Sequence, residues 1–271
     1  MNNKNKSQSI FKIGLIGIGS WGKNYIKTIN ELSNIELVGI LRNSSNKCKE
    51  APDNCKIFTN FDDFISFQRM DGVIISSPPN THFQYATNLI KNKIPIIIEK
   101  PIFTSTFEAE TIYSLALDYS GIVLVDHIYL YDPIFRYMKK QLEKTKKIKR
   151  IKSVGGNKGP FRKDTSPLWD WGPHDIAMCL SILKSMPSEI YAKKINQYKS
   201  NNRIGENIKI NLYFEGQQKV DILVGNNFRN KKREFIVETD LEYIRFNPLI
   251  EEKLIFRNLK TKKDLPYKNT D

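Results

Sequence analysis

Three sets of residues in this sequence have types and spacings that can do chemistry. Gly17-Ile-Gly19-Ser20-Trp21-Gly22 is a G-x-G-x-x-G run. Glycines there permit a tight turn and a close approach of backbone to a pyrophosphate, and the amides opening a following helix favour its negative charge. Lys100 follows the apolar run Ile94-Pro-Ile-Ile-Ile98. An ammonium at that place can polarise a substrate oxygen and stabilise a developing alkoxide. Asp170 and His174 stand four residues apart. Histidine, with an unperturbed pKa of about 6.5, suits proton exchange near neutrality, and Asp170 can orient its ring or bond a substrate hydroxyl. The combination matches oxidation of a secondary alcohol, in which a hydride leaves carbon for a nicotinamide ring and the hydroxyl proton goes to a base. Taken singly, Lys100 also reads as a surface lysine paired with Glu99, and His174 as a helix-capping residue.

The elements that must position these groups follow from periodicity. Apolar runs at 11–16, 36–41, 56–58, 72–76, 94–98 and 122–125 alternate with helical patterns, which predicts a parallel, doubly wound sheet. Ile26, Ile29 and Leu32 recur at helical spacing after the glycine turn, and further helices are expected at 81–91, 105–119 and 132–144. The turn therefore lies between the first strand and the first helix, and Lys100 at the carboxyl edge of the sheet, where such folds bind ligands.

After about residue 147 one helix, 173–184, precedes extended runs at 189–198, 208–214, 219–224, 234–238 and 242–246. Several alternate apolar with polar residues, which predicts a mostly antiparallel open sheet in an α+β domain. Pro173 suits the first position of a helix, so His174 is expected near the positive end of the helix dipole, in its neutral form, with the charge of Asp170 opposing the effect. The organisation expected is a polar lead over 1–9, a Rossmann domain over 10–127, an α+β substrate domain over 128–258, and a loose polar tail over 259–271.

The second strand ends in Gly39-Ile-Leu-Arg42-Asn43-Ser44-Ser45, where a dinucleotide fold that selects NAD carries an acidic residue. Arg42 and Asn43, with the hydroxyls that follow and Lys47, fit a 2′-phosphate instead, so NADP is expected and NAD is the alternative. A guanidinium that stacks on adenine or points to solvent is the competing account of Arg42.

Composition narrows the classes. The chain has 271 residues, enough for two modest domains, and 40% of them are apolar. The N-terminal lead has no apolar segment of the secretory kind, and no apolar run approaches the roughly 20 residues of a membrane span. A cytoplasmic protein without membrane contact is expected. The three cysteines and three histidines lack zinc-site spacing, so no metal is expected. The net charge of +14 is spread along the chain without interleaved aromatics, which reads as a solvated surface rather than a nucleic-acid site.

Ser77-Pro-Pro79-Asn-Thr-His82, Glu99-Lys100-Pro101 and Asp170-Trp-Gly-Pro-His174, in this order after the glycine turn, resemble the Gfo/Idh/MocA oxidoreductases over about residues 11–185. The resemblance implies that Lys100, Asp170 and His174 form the catalytic group. It further implies that Ser77, Pro79 and Glu99 line the cofactor cleft and that Gly17, Gly19, Ser20, Trp21 and Gly22 sit on the pyrophosphate. Many members use an acidic residue for NAD where this chain has Arg42. Gly19-Ser-Trp21-Gly22-Lys-Asn24 is similar to members that act on nucleotide sugars, and a homodimer is the assembly the family implies.

His127 is expected to border the substrate and His82 to hold the loop after Pro79. Arg162, Lys163 and Trp169, in the loop leading to Asp170, would suit a phosphorylated or nucleotide-linked sugar, or belong to an ordered surface loop. The resulting expectation is a dehydrogenase or ketoreductase for a sugar, nucleotide sugar or polyol. A non-catalytic dinucleotide-binding regulator is the alternative, and the retained Lys100, Asp170 and His174 count against it.

Overall fold

A computed structural model describes residues 9–44, 48–144, 147–161, 165–200 and 203–267. The chain divides into two compact units, Met1–Asp126 and His127–Asp271.

In the first unit the order is β1 (Phe11–Ile16), α1 (Ser20–Asn30), β2 (Ile35–Leu41), β3 (Lys56–Phe58), α2 (Phe61–Ser66), β4 (Gly72–Ile75), α3 (Pro79–Lys91), β5 (Ile96–Ile98), α4 (Thr106–Asp118) and β6 (Val123–Val125). The six strands form one sheet in the order β3-β2-β1-β4-β5-β6, and every pairing is parallel. Successive residues serve opposite faces. Leu15 and Ile40 pack with Ile26 and Ile29 of α1 on one side, while Ile16 and Leu41 pack with Phe64 of α2 and Leu89 of α3 on the other. Burial on both faces explains why these strands read as continuous apolar runs rather than alternating ones. The strand order reverses between β1 and β4, so the glycine turn that leaves β1 lies at the topological switch point, where open α/β sheets bind ligands.

Two details differ from the periodicity. Leu32 falls beyond the end of α1 and is exposed. The short α2 gave too few residues to show a period; its signal was Asn60, whose side chain accepts from the amide of Asp63 at 3.0 Å as an N-cap.

The second unit opens with a 3-10 turn (Ile128–Leu130) and α5 (Pro133–Leu142). It continues with β7 (Ile148–Lys158), α6 (Pro167–Leu183), β8 (Glu189–Ser200), β9 (Arg203–Tyr213), β10 (Lys219–Gly225), β11 (Asn227–Thr239), β12 (Glu242–Phe246), β13 (Leu254–Asn258) and β14 (Asp264–Pro266). The sheet order is β14-β13-β12-β11-β7-β10-β9-β8. All neighbours are antiparallel except β7 and β10. One face packs on α5 and α6 through residues such as Phe135, Met178, Ile222 and Phe235.

Three expectations are corrected here. The strand β7, near the centre of the sheet, is absent from the expected extended runs, because its lysines and arginine read as part of the solvated charge. Its inward residues Ile151 and Ser153 are buried, while Arg150 and Lys152 point to the other face and pair with Asp221 and Glu238, each at 2.5 Å. The helix carrying His174 begins at Pro167, not Pro173, so Pro173 lies inside it. Proline at the first position costs no hydrogen bond, and the apolar stretch after Pro167 carries the helix through the second proline. His174 is therefore one turn beyond Asp170 in mid-helix, and the expected proximity of its ring to the positive helix end does not hold. The tail from residue 259 is not loose over its described part: β14 pairs with β13, and the ring of Tyr267 lies 4.3 Å from that of Tyr137.

Candidate active-site residues in the two units

At the glycine turn, Gly17 has φ of +88°, a conformation that glycine adopts without penalty. A Cβ there would stand 2.7 Å from the amide nitrogen of Ser77, so the ends of β1 and β4 close on one another. A Cβ at Gly22 would come to 2.3 Å from the carbonyl oxygen of Gly17, which fixes α1 against the turn. Ser76 Oγ donates to that same oxygen at 2.7 Å. Gly19 differs: a Cβ there meets nothing within 4 Å. Gly19 is the N-cap of α1, no side chain caps the helix, and its first turn holds no acidic residue. A helix start with these properties suits an anion, and these residues fit a dinucleotide pyrophosphate. Ser20 and Trp21, the first two residues of α1, are exposed beside it.

Arg42 follows β2, with its amide bonded to the carbonyl of Phe58 at 2.9 Å, and Asn43 is exposed. Lys23 of α1 feels the charge of Arg42 and pairs with Glu50 at 2.6 Å. That pairing holds the Glu50 carboxyl down at about 2. Sequence reading missed Lys23 and Glu50, which add a second cation and a neutralised anion to the neighbourhood of Arg42. Lys47 and Ser45 lie outside the described residues.

At the ends of β4 and β5, His82 is fully buried. Its Nε2 faces the carbonyl of Ser77 at 2.8 Å, and its Nδ1 faces those of Pro101 and Ile102 at 3.2 and 3.1 Å. Burial pushes its pKa down, and the three carbonyls pull the other way. One ring thus ties the Ser77 segment, with Pro79 at the start of α3, to the Glu99-Lys100-Pro101 segment. Glu99 is buried and its amide is bonded to the carbonyl of Ile75 at 2.9 Å. Its carboxyl stands 3.1 Å from the hydroxyl of Tyr25, which also bonds Asp126. Burial, and then the charge of Asp126, raise Glu99 to about 7.

In the second unit, Asp170 occupies the first turn of α6, where a negative charge is favoured, and His174 is buried one turn on. The rings of His127 and Tyr129 stand edge-on to that of His174, at 6.1 and 5.2 Å between centroids. Behind them, the guanidinium of Arg233 lies 4.0 Å over the ring of Tyr129. Arg233 Nη1 donates to both oxygens of Asp175, at 2.8 and 2.9 Å, and Ser153 Oγ donates to Asp175 as well. Both charged groups are buried. Room for them comes from Gly155, the register partner of Arg233 across β7 and β11: a Cβ there would stand 2.8 Å from Arg233 Nη1.

A family model described as "Oxidoreductase family, NAD-binding Rossmann fold" matches residues 11–127, nearly the whole first unit. This segment is therefore similar to the Gfo/Idh/MocA oxidoreductase family. Among relatives, the rhizopine catabolism protein MocA of Rhizobium meliloti is 27% identical over 110 residues, 40% of this chain and 35% of its own. The UDP-N-acetylglucosamine 3-dehydrogenase of Acidithiobacillus ferrooxidans is 23% identical over 183 residues, 67% of this chain and 57% of its own. These alignments span less than two thirds of either relative. The solved structure of that dehydrogenase superposes with a TM-score of 0.81 at 17% identity, covering 96% of this chain and 83% of the other. A protein of Magnetospirillum magnetotacticum MS-1 gives a TM-score of 0.87 at 26% identity, covering 97% and 83%.

The structure brings together His127 and His174, and places Asp170 one helical turn from His174, all in the second unit. Lys100 and the cofactor-side candidates belong to the first. Trp169 is an exposed residue of α6. Arg162 and Lys163 lie outside the described residues. Among the described residues no group of three or more histidine, cysteine or acidic side chains could hold a metal, and no helix is long and apolar enough to cross a membrane.

Proposed function

We propose that this chain is an NADP-preferring oxidoreductase that moves a hydride between nicotinamide and a secondary alcohol or ketone of a sugar, nucleotide sugar or polyol. The observation that carries the reading is the open, uncapped start of α1 at the glycine turn, set at the switch point of a family-typical sheet. Gly17, Gly19, Ser20, Trp21 and Gly22 hold the pyrophosphate, Arg42 and Asn43 the adenosine end, and Ser77, Pro79 and Glu99 line the cleft. The dinucleotide, when bound, supplies or accepts the hydride. His174 takes the hydroxyl proton in the oxidative direction and returns it in reduction. Asp170 orients that ring or holds a neighbouring substrate hydroxyl. Lys100 sets its ammonium against the reacting oxygen, and His127, Trp169 and Arg162 contact the rest of the substrate. The relative that acts on UDP-N-acetylglucosamine supports a nucleotide-linked sugar. The cytoplasmic setting and the homodimer implied by the family belong to the same reading; light scattering tests the assembly.

Fluorescence titration with NADPH and NADH tests it first. Tight NADPH binding is expected, NADH preference would reverse the role of Arg42, and binding of neither would remove the enzyme reading. With UDP-N-acetylglucosamine and NADP as first probes, His174→Ala is expected to abolish turnover while cofactor binding persists.

A further inference from the structure

In the N-terminal unit one phenol stands between two carboxyl groups. Tyr25, on α1, has its hydroxyl 3.1 Å from Glu99 Oε1 and closer still to Asp126 Oδ2. Glu99 follows β5 and Asp126 follows β6, and these strands are neighbours in the sheet. Three elements thus deliver three titratable groups to one spot at its carboxyl edge. A phenol has a single proton to donate. If that proton goes to Asp126, the closer partner, the contact with Glu99 is favourable only when Glu99 is protonated and donates to the phenol oxygen. Glu99 is only 6% exposed, and two carboxylates that share one donor in a buried place resist ionising together. The other charged group facing Glu99 is Lys100, whose amide donates to Glu99 Oε2 at 3.2 Å and whose ammonium attracts the carboxylate. Beyond it, on α3, His82 reaches the same loop through the carbonyls of Pro101 and Ile102.

We propose that Tyr25 joins Glu99 and Asp126 into a proton-sharing unit that carries one carboxyl proton, holds the Lys100 backbone, and sets the negative charge opposed to the Lys100 ammonium. Tyr25 is then a positioning residue. The directions of the shifts agree: burial and the nearby carboxylates raise both Glu99 and Tyr25. The consequence for Lys100 rests on the function proposed above, but the shared proton does not. When the unit loses its proton, a second negative charge appears beside Lys100 and strengthens the hold on its ammonium, so the unit tunes how freely that ammonium serves a substrate oxygen.

The test is a carbon-13 NMR titration of the full chain, labelled at the Asp and Glu carboxyls and the Tyr ring, between about pH 5 and 9. One carboxyl is expected to titrate near 7 and to be absent from Glu99→Gln. The ring carbon bearing the Tyr25 hydroxyl, assigned with Tyr25→Phe, is expected to follow the same midpoint and to become flat in Glu99→Gln. Asp126→Asn removes a charge and returns the Tyr25 proton to Glu99, so the Glu99 midpoint should fall by about one pH unit or more. A Tyr25 signal blind to the Glu99 titration, or no carboxyl midpoint between about 6 and 8, would overturn the proposal. The Tyr25 and Glu99 signals of the unsubstituted chain decide it even if Asp126→Asn fails to fold. The titration needs neither cofactor nor substrate: a chain that binds no NADPH yet shows the coupled midpoint loses the enzyme reading and keeps this one.

Discussion

Around Lys100, in the N-terminal unit, polar groups are held largely by backbone. The His82 ring stands among three carbonyls, Ser76 bonds the carbonyl of Gly17, and Glu99 accepts from the amide that follows it. Around His174, in the C-terminal unit, the materials are side chains: two aromatic neighbours, a guanidinium stacked on one of them, and a buried ion pair behind it. Backbone contacts survive many side-chain changes because the chain itself supplies the partner. A cluster of side chains drawn from the 3-10 turn, α6, β7 and β11 depends on every member, so damage should be graver in the second unit.

The largest effect is expected at Arg233. Removing one partner of a buried pair strands the other charge, at a cost of about 3–5 kcal/mol. Arg233→Met should therefore lower the denaturant midpoint sharply, and a compensating Asp175→Leu in the same chain should restore much of it. A loss below about 1 kcal/mol would break the contrast between the units, because it would mean that the pair is not dry.

A smaller effect, with a pH signature, belongs to the first unit. Glu99 is raised from 4.5 to about 7, so between those values the folded chain binds more protons than the unfolded one. Stability should then fall as pH rises through this window, by roughly 3 kcal/mol at most. Glu99→Gln should flatten that part of the profile, as read by denaturant melts at a series of pH values. Gly22→Ala should cost roughly 1–3 kcal/mol, because its Cβ would meet the backbone oxygen of Gly17 rather than a side chain that can move. It should also weaken NADPH binding measured by fluorescence.

The same contrast explains what the sequence disclosed. Groups held by backbone lie in local motifs, so the glycine turn and Glu99-Lys100-Pro101 were legible as strings, as was the parallel sheet; Asp170 and His174 were legible because both lie in one helical turn. The side-chain cluster was written in phase rather than in motif. Arg233 lies on the inward phase of β11 with Phe235 and Val237, and Asp175 falls on the α6 stripe with Met178, Cys179 and Ile182. A charge in an apolar phase demands a buried partner, and two such charges in one unit could have been matched. Tyr25 lies next to the stripe of Ile26 and Ile29 and carried a weaker version of that signal. The start of α6 was misplaced because two prolines compete for the same role, and β7 was missed because its outward lysines and arginine outnumber its inward apolar residues.

The smallest expected effect sharpens the comparison at its most exposed point. Arg42 is partly buried beside the Lys23–Glu50 pair, so its hold on a 2′-phosphate would be a charge-assisted bond in partial contact with water, worth about 1.5 kcal/mol, or about tenfold in affinity. Arg42→Ala should weaken NADPH binding by about that factor and leave NADH binding and the denaturant midpoint nearly unchanged. If Lys23 shares the phosphate, Lys23→Ala should produce a further loss and also free Glu50, whose carboxylate would then repel the phosphate. The double variant would in that case prefer NADH. Equal losses for both dinucleotides would instead mean that Arg42 stacks on adenine, and the cofactor choice would have to come from elsewhere in the unit.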